Sequence, residues 1–248
     1  MNSNFKKYSV YYNLLYANKN YKLESDYIRD CLSRLGCRNG EILEFGSGTG
    51  IHGRIISETN YNVYGIELSP EMVAESYNTE NFSCQVGDIT NFNLNRKFDA
   101  IISLFHVVSY ITNNESLNSL FENARKHLKK GGIFLFDVWY SPAVYFLKPA
   151  VKVKRVFNDE IEVIRIAEPE ILSNQNIVKV NFTLLIKDIK SEKSESINEI
   201  HEMRHFSIPE LELLAGFYGF ECILTEEFVT RKAPSVNTWG VCLAFKKI

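Results

Sequence analysis

The sequence predicts an α/β protein: a doubly wound, mostly parallel, seven-stranded sheet with an inserted antiparallel β-sheet. Three observations carry that expectation. Short, near-continuous apolar segments alternate with helical ones from Glu41 to Val138, the mark of parallel strands covered on both faces. A glycine-rich turn, Glu44-Phe-Gly-Ser-Gly-Thr-Gly50, follows the first apolar segment directly. Beyond Pro149 the segments lengthen; Val178, Val180, Phe182, Leu184 and Ile186 alternate with mainly polar residues, as in an antiparallel strand with one wet face.

The elements follow in order. From about Tyr8 to Leu35 the pattern is helical and tyrosine-rich, with Leu23, Tyr27, Cys31 and Leu35 on one face. Glu41 to Phe45 is a strand, Ile51 to Thr59 a helix, and Asn62 to Ile66 a second strand ending at Glu67. Ser69 caps a helix that has Pro70 at its first position and runs to Tyr77. Phe82 to Val86, Phe98 to Leu104 and Ile133 to Val138 are the next strands, with a helix from Asn114 to Leu128 before the last. Glu162 to Leu172, Ile177 to Asp188 and Glu195 to Phe206 form the inserted sheet, joined by turn residues. Ser207-Ile-Pro-Glu210 caps a helix to Tyr218, and Phe220 to Glu226 and Thr238 to Lys246 rejoin the main sheet. Residues 1–149 and 207–248 then form the α/β unit, with 1–35 as a helical cover, and 150–206 form the insert.

Composition narrows the function. The 248 residues suit one large domain, or one carrying an insertion. A net charge of −2 gives no overall field toward nucleic acid or an anionic membrane. The five cysteines are scattered, without a CxxC pair or Cys/His cluster, so neither a metal site nor a disulfide framework is expected. Free thiols, no signal peptide and no apolar run of ~20 residues point to the cytoplasm and away from membranes.

A strand-turn-helix with close glycines brings backbone N–H groups to a ligand. Dinucleotide binders want G-x-G-x-x-G; here Gly46, Gly48 and Gly50 give G-x-G-x-G. A Glu44 carboxylate pointing into this loop would repel a pyrophosphate and suit a ligand carrying an ammonium and a sulfonium. Glu67 and Asp88 end the second and third strands, where ligands of open α/β sheets bind. They can accept from ribose hydroxyls and from an adenine amino group. Each acid alone also reads as a helix cap or a solvated loop residue.

These residues resemble the class I S-adenosylmethionine (SAM)-dependent methyltransferases, through the glycine loop, Gly65-Ile-Glu-Leu-Ser-Pro-Glu-Met72, Gly87-Asp88-Ile89, Phe98-Asp-Ala-Ile-Ile-Ser-Leu104 and Leu128-Lys-Lys-Gly-Gly132. A narrower resemblance, to bacterial nucleotide-linked amino-sugar N-methyltransferases, rests on Tyr12-Asn-Leu-Leu-Tyr16, Lys19-Asn-Tyr21, Thr49-Gly-Ile-His52, Ser103-Leu-Phe-His-Val-Val-Ser-Tyr-Ile111, Phe136-Asp-Val-Trp-Tyr140 and His201-Glu-Met-Arg-His-Phe206. The resemblance implies SAM as cofactor. It places Gly46, Gly48 and Leu104 by the methionine part, Glu67 at the ribose, Asp88 and Ile89 at the adenine and Tyr21 over the cofactor, and it counts Glu44, Ser47, Leu68 and Met72 among the other cofactor-binding residues. His106 is the candidate for orienting the acceptor or taking its proton, aided by Tyr12. Tyr16, Trp139 and Tyr140 would wall the acceptor, while His201 and Arg204 reach down from the insert, Arg204 toward a phosphate. Relatives that use nucleotide-sugars carry an arginine near the last strand, where this chain reads Asn237-Thr-Trp-Gly240, with Arg231 and Lys232 nearest. His127 reads as a charge favourable to a helix C-terminus.

The implied reaction is methyl transfer to a small amine, an amino sugar above all, by proximity and orientation. An O-methyltransferase for a small metabolite and a non-catalytic SAM-binding protein stay open. Nucleic acid is not an expected partner, because Leu104-Phe-His-Val stands where DNA methyltransferases carry Asn/Asp-Pro-Pro-Tyr/Phe or Pro-Cys. The insert could cover the site or pair two subunits in a homodimer. In a thermal melt, SAM at a hundred times its Kd should stabilise the chain by about 2.7 kcal/mol, and NAD should not; the reverse would overturn the cofactor assignment.

Overall fold

Asn20 divides the N-terminal helical stretch in two. Its side chain accepts from the Leu23 amide at 2.9 Å, so the chain forms α1 (Ser9–Leu15) and α2 (Tyr21–Arg34) rather than one helix. The computed structural model describes residues 9–248, and the first eight residues of the expected cover, with the start of the helix expected from Tyr8, lie outside the described residues. Strand β1 (Gly40–Phe45), α3 (Ile51–Ser57), β2 (Tyr61–Glu67), α4 (Pro70–Glu75), β3 (Phe82–Val86), β4 (Phe98–Ser103), α5 (Asn114–His127) and β5 (Leu128–Tyr140) complete the alternation. Then follow α6 (Ser141–Leu147), β6 (Lys152–Phe157), β7 (Ile161–Leu172), β8 (Ile177–Asp188), β9 (Ser194–Phe206), α7 (Ile208–Phe217), β10 (Phe220–Glu227) and β11 (Gly240–Lys247).

Strands β3, β2, β1, β4 and β5 lie in that order, all parallel. β11 pairs antiparallel with β5 and β10 with β11, giving seven strands. The order reverses between β1 and β4, and ligands of such sheets bind beyond that point. One face carries Phe45, Phe134, Phe136 and Phe245 under α5, which contributes Phe121, and α7. The other carries Ile42, Ile102 and Leu135 under α2 and α3, with Tyr27, Ile28 and Ile56.

Four features depart from the sequence-based expectation. The insert has a fourth strand, β6, at its edge, where exposed Val153 and Phe157 alternate with lysines and arginine and carry no signal of burial. The insert is not a separate sheet: β9 joins the end of β5 in parallel through Trp139↔His205 and Tyr140↔Phe206. β5 starts earlier than expected, because Leu128 already pairs with Phe98. Finally, His127 is not a capping charge. It is buried, accepts the Leu94 amide at Nε2 (3.2 Å) and faces the Asn123 carbonyl through Nδ1 (2.9 Å). Burial lowers its pKa against the pull of that carbonyl, so the ring is a neutral bridge stacked on Phe92.

Phe121 sits edge-on to Phe134, Phe136, Phe220 and Phe245, with ring centres 5.6–6.2 Å away. Phe121→Ala should cost about 3–5 kcal/mol, read as a lower urea midpoint with an unchanged m-value.

Candidate active site

The carboxyl ends of β1, β2 and β4 open into a cavity of about 700 Å³ that continues under the insert, a size usual for small-molecule sites. The glycine loop forms its floor. Gly46, Gly48 and Gly50 have φ of 69°, 56° and 74°, a region that side chains with a Cβ rarely adopt. At Gly46 a Cβ would also lie 2.5 Å from Val107. The Ser47 hydroxyl is buried in this floor, with no hydrogen-bond partner among the described residues.

Glu67 holds the loop in place. Its Oε2 accepts from the Gly48 amide at 2.8 Å and its Oε1 from the Ser69 amide at 2.9 Å. Burial raises its pKa, and these amides oppose the rise. Ser69 in turn caps α4 by accepting from the Met72 amide. Leu68, Met72 and Ile89 line the cavity beside Glu67. Asp88 lines it too, although its Oδ1 already accepts from the Thr90 amide and hydroxyl at 2.9 and 2.6 Å.

Glu44 is not where the sequence placed it. Alternation along β1 turns its side chain to the α3 face, beneath the loop and off the cavity wall. There a Cβ at Gly53 would meet Glu44 Oε2 at 2.5 Å, so a glycine makes room for the acid. Burial, then repulsion from Glu67, pushes the Glu44 pKa up to about 8.

Tyr21 closes one side of the cavity, edge-on to His52 at 4.9 Å. Burial pushes its hydroxyl up to about 12. His52 Nε2 lies 2.8 Å from Glu24 and Lys19 Nζ 2.9 Å from the same carboxylate. The Lys19 ammonium also sits 3.4 Å from the centre of the Phe105 ring. Sequence reasoning named none of Lys19, Glu24 and His52 as site residues, although Lys19 and His52 lay inside motifs already noted.

Leu104 and His106 follow β4 at the cavity's centre. Phe105 and His106 both have φ of 63°, which turns the imidazole back over the sheet. His106 Nδ1 lies 2.6 Å from Asp137 Oδ2, and its backbone N–H donates to the same oxygen at 3.2 Å. Asp137 is fully buried in β5. Burial works to raise its pKa, but His106 holds it below the ordinary carboxylate range. This acid was missed in the sequence; the signal was a lone aspartate in the apolar run Phe134 to Trp139.

The end of the cavity under the insert is aromatic. Tyr12, Tyr16 and Trp139 line it, with Tyr12 and Tyr16 ring centres 4.6 Å apart and Trp139 6.1 Å from His106. His201 reaches in from β9, its Nδ1 3.0 Å from the Tyr110 hydroxyl. Two expected wall residues are elsewhere. Tyr140 falls on the opposite face of β5 from Trp139 and packs on the core under α5. Arg204 projects away from His201 on β9, and Glu210 and Asn114 hold its guanidinium at 2.7 Å each.

Residues 42–132 match the family described as a methyltransferase domain. The chain is 27% identical over 176 residues to a dTDP-3-amino-3,4,6-trideoxy-α-D-glucopyranose N,N-dimethyltransferase of Streptomyces venezuelae, covering 70% of this chain and 74% of the relative. A crystal structure of a SAM-dependent methyltransferase from Clostridium acetobutylicum superposes with a TM-score of 0.78 at 23% identity, covering 96% of both chains. The sugar N-methyltransferase KedS8 of a Streptoalloteichus species superposes at 0.81 with 20% identity, over 96% of this chain and 92% of that one. These two likenesses establish a common fold.

Glu44 gives this site a measurable signature. Its pKa rises from 4.5 to about 8 on folding, so the folded chain holds a proton that the unfolded chain releases in that interval. The associated stability is complete below 4.5 and is lost as pH climbs toward 8. Relative to the native protein, Glu44→Gln should therefore gain melting temperature steadily between those limits in calorimetry, and a pH-independent difference would refute the buried-acid assignment. A match to a methyltransferase domain over residues 42–132 and an aligned dimethyltransferase over 70% of the chain agree with the cavity built here: the chain carries a methyltransferase domain.

Proposed function

We propose that this methyltransferase acts on the amino group of a small molecule, an amino sugar joined to a nucleotide. Support comes from the acceptor printed in the name of the Streptomyces venezuelae relative and from the aromatic acceptor end of the cavity. The single observation that carries the chemistry is the pairing of buried Asp137 with half-buried His106 beside Leu104.

SAM, when bound, supplies a methyl group already activated on a sulfonium, and the glycine loop, Ser47 and the acids fit it. Gly46, Ser47, Gly48 and Leu104 would surround its methionine part, Glu67, Leu68 and Met72 its ribose, and Asp88 and Ile89 its adenine, with Tyr21 as a side wall. Both Glu67 oxygens retain a lone pair beyond the amides they accept, which suits two hydroxyls.

An amine reaches the site at neutral pH largely as an ammonium ion and has no lone pair to give until it loses a proton. With Nδ1 turned to Asp137, His106 presents Nε2 to take that proton, and the aspartate stabilises the resulting imidazolium. Tyr12, Tyr16, Trp139 and His201 then hold the acceptor nitrogen in line and keep water out. An alcohol needs a base even more than an amine does, so the same pair also favours an O-methylating reading. The unpaired state of all five cysteines accords with work in a reducing cytoplasm.

Two measurements decide. Incubation with SAM and matched amino and hydroxy sugars should give a methyl mass gain on nitrogen alone; gain on oxygen alone sinks the amine reading. Replacing His106 by Ala should lower kcat about 100-fold at neutral pH, and Asp137→Asn should lower it too. In both variants the deficit should shrink as pH approaches the amine's own pKa. Native kcat in both variants would leave positioning as the whole of catalysis.

A further inference from the structure

The His106 imidazole depends on a strained turn. Phe105 and His106 both have φ of 63°, a left-handed conformation that costs free energy in a residue with a Cβ and persists only where neighbours hold it. Asp137 holds the second residue, through the His106 ring and amide. The first is held from the N-terminal cover. Lys19 Nζ stands 3.4 Å from the centre of the Phe105 ring, and Tyr16 meets that ring edge-on at 5.2 Å. Tyr16 and Lys19 both lie in the short link between α1 and α2.

The backbone of the link is fixed on both sides of Lys19. Its amide donates to the Tyr16 carbonyl at 2.9 Å, and its carbonyl accepts from the Tyr21 amide at 3.0 Å. Its side chain is only 10% exposed, with Glu24 Oε2 2.9 Å from the ammonium. Burial lowers the Lys19 pKa against the pull of that carboxylate. The pair carries no net charge, so what reaches the turn from Lys19 is contact rather than a long-range field. Joining two helices does not require a buried ammonium; an exposed polar residue would do so without the desolvation cost. What burial achieves here is contact with the π face of Phe105, and such a contact strengthens as water is excluded.

We infer that Lys19 is a positioning residue: its ammonium, neutralised by Glu24, clamps the Phe105 ring and so fixes the left-handed turn that presents His106 to Asp137. The catalytic consequence rests on the reading of His106 as proton acceptor; the clamp itself rests on geometry alone. It ties assembly of the base to docking of the cover. The cover also brings Tyr12 and Tyr21 to the cavity wall, so the segment that encloses the ligands is the one that completes the His106–Asp137 pair.

The clamp can be read without a substrate, by NMR on the full chain. The His106 Nδ1 proton, shielded between the ring and Asp137, should exchange slowly with water and give a signal of its own, assigned by its loss in His106→Ala. Lys19→Met should speed that exchange about tenfold, while Lys19→Arg, which can still lie on the ring, should keep it slow. With dTDP-3-amino-3,4,6-trideoxy-α-D-glucopyranose as the acceptor probe, Lys19→Met should lower kcat about tenfold and leave KM within about twofold. In the His106→Ala background the same change should cost nothing further, because both act through one group. A native exchange rate in Lys19→Met overturns the clamp, as does a tenfold loss of kcat that persists undiminished in His106→Ala. If Lys19→Met does not fold, Phe105→Leu, which removes the ring face and keeps an apolar side chain, decides by the same readings. If the probe is not methylated, the exchange rate decides alone. Native kcat in His106→Ala with fast exchange in Lys19→Met refutes the base and keeps the clamp; slow turnover in His106→Ala with native exchange in Lys19→Met does the reverse.

Discussion

Strand β5 must satisfy two faces and three neighbours at once, and the site follows from how it does so. It pairs with β4, β11 and β9. Its period of two sends Phe134, Phe136 and Val138 into one core and Ile133 and Leu135 into the other. The next residue on that second face is Asp137, a charge where the pattern calls for a hydrocarbon. A buried carboxylate is tolerable there only with a partner, and His106 is that partner because two consecutive left-handed residues fold it back onto the strand. The packing of the central strand and the orientation of the imidazole are thus one arrangement.

The acids on β1 and β2 show how neighbouring carboxylates acquire different characters. Glu67 stands at a strand end, where two amides point at it, and so it joins the glycine loop to the start of α4. Glu44 lies one strand inward, with Oε2 lacking a hydrogen-bond partner among the described residues, and retains its proton far above the usual range. A charge near neutrality at Glu44 would add to that of Glu67; a proton there removes the repulsion.

Much of this was legible in the sequence. The β–α alternation, the loop, the Ser69 and Ser207 caps and the period of two in β8 are local signals, and the structure follows them. What escaped depends on contacts distant in sequence. Nothing near Asp137 announces a histidine 31 residues away. Nothing in Lys154 announces that Arg165 stands opposite, since register is set by the hairpin. Tyr140 and Arg204 were misplaced for the converse reason: each lies next to a wall residue along the chain, Trp139 and Met203, and on a strand adjacency means the opposite face, while Glu44 was misplaced because β1 turns it under the loop toward α3.

The junction between β5 and β9 rests on just two residue pairs, Trp139↔His205 and Tyr140↔Phe206. Beyond it the sheet forks, with the glycine-loop floor of the cavity on one branch and the four strands of the insert on the other. A fork with so short a stem separates the two branches as units of evolutionary change. Strands on the outer branch can lengthen, shorten or exchange side chains while the floor keeps its shape, and a protein engineer exchanging such inserts would need to match only this stem.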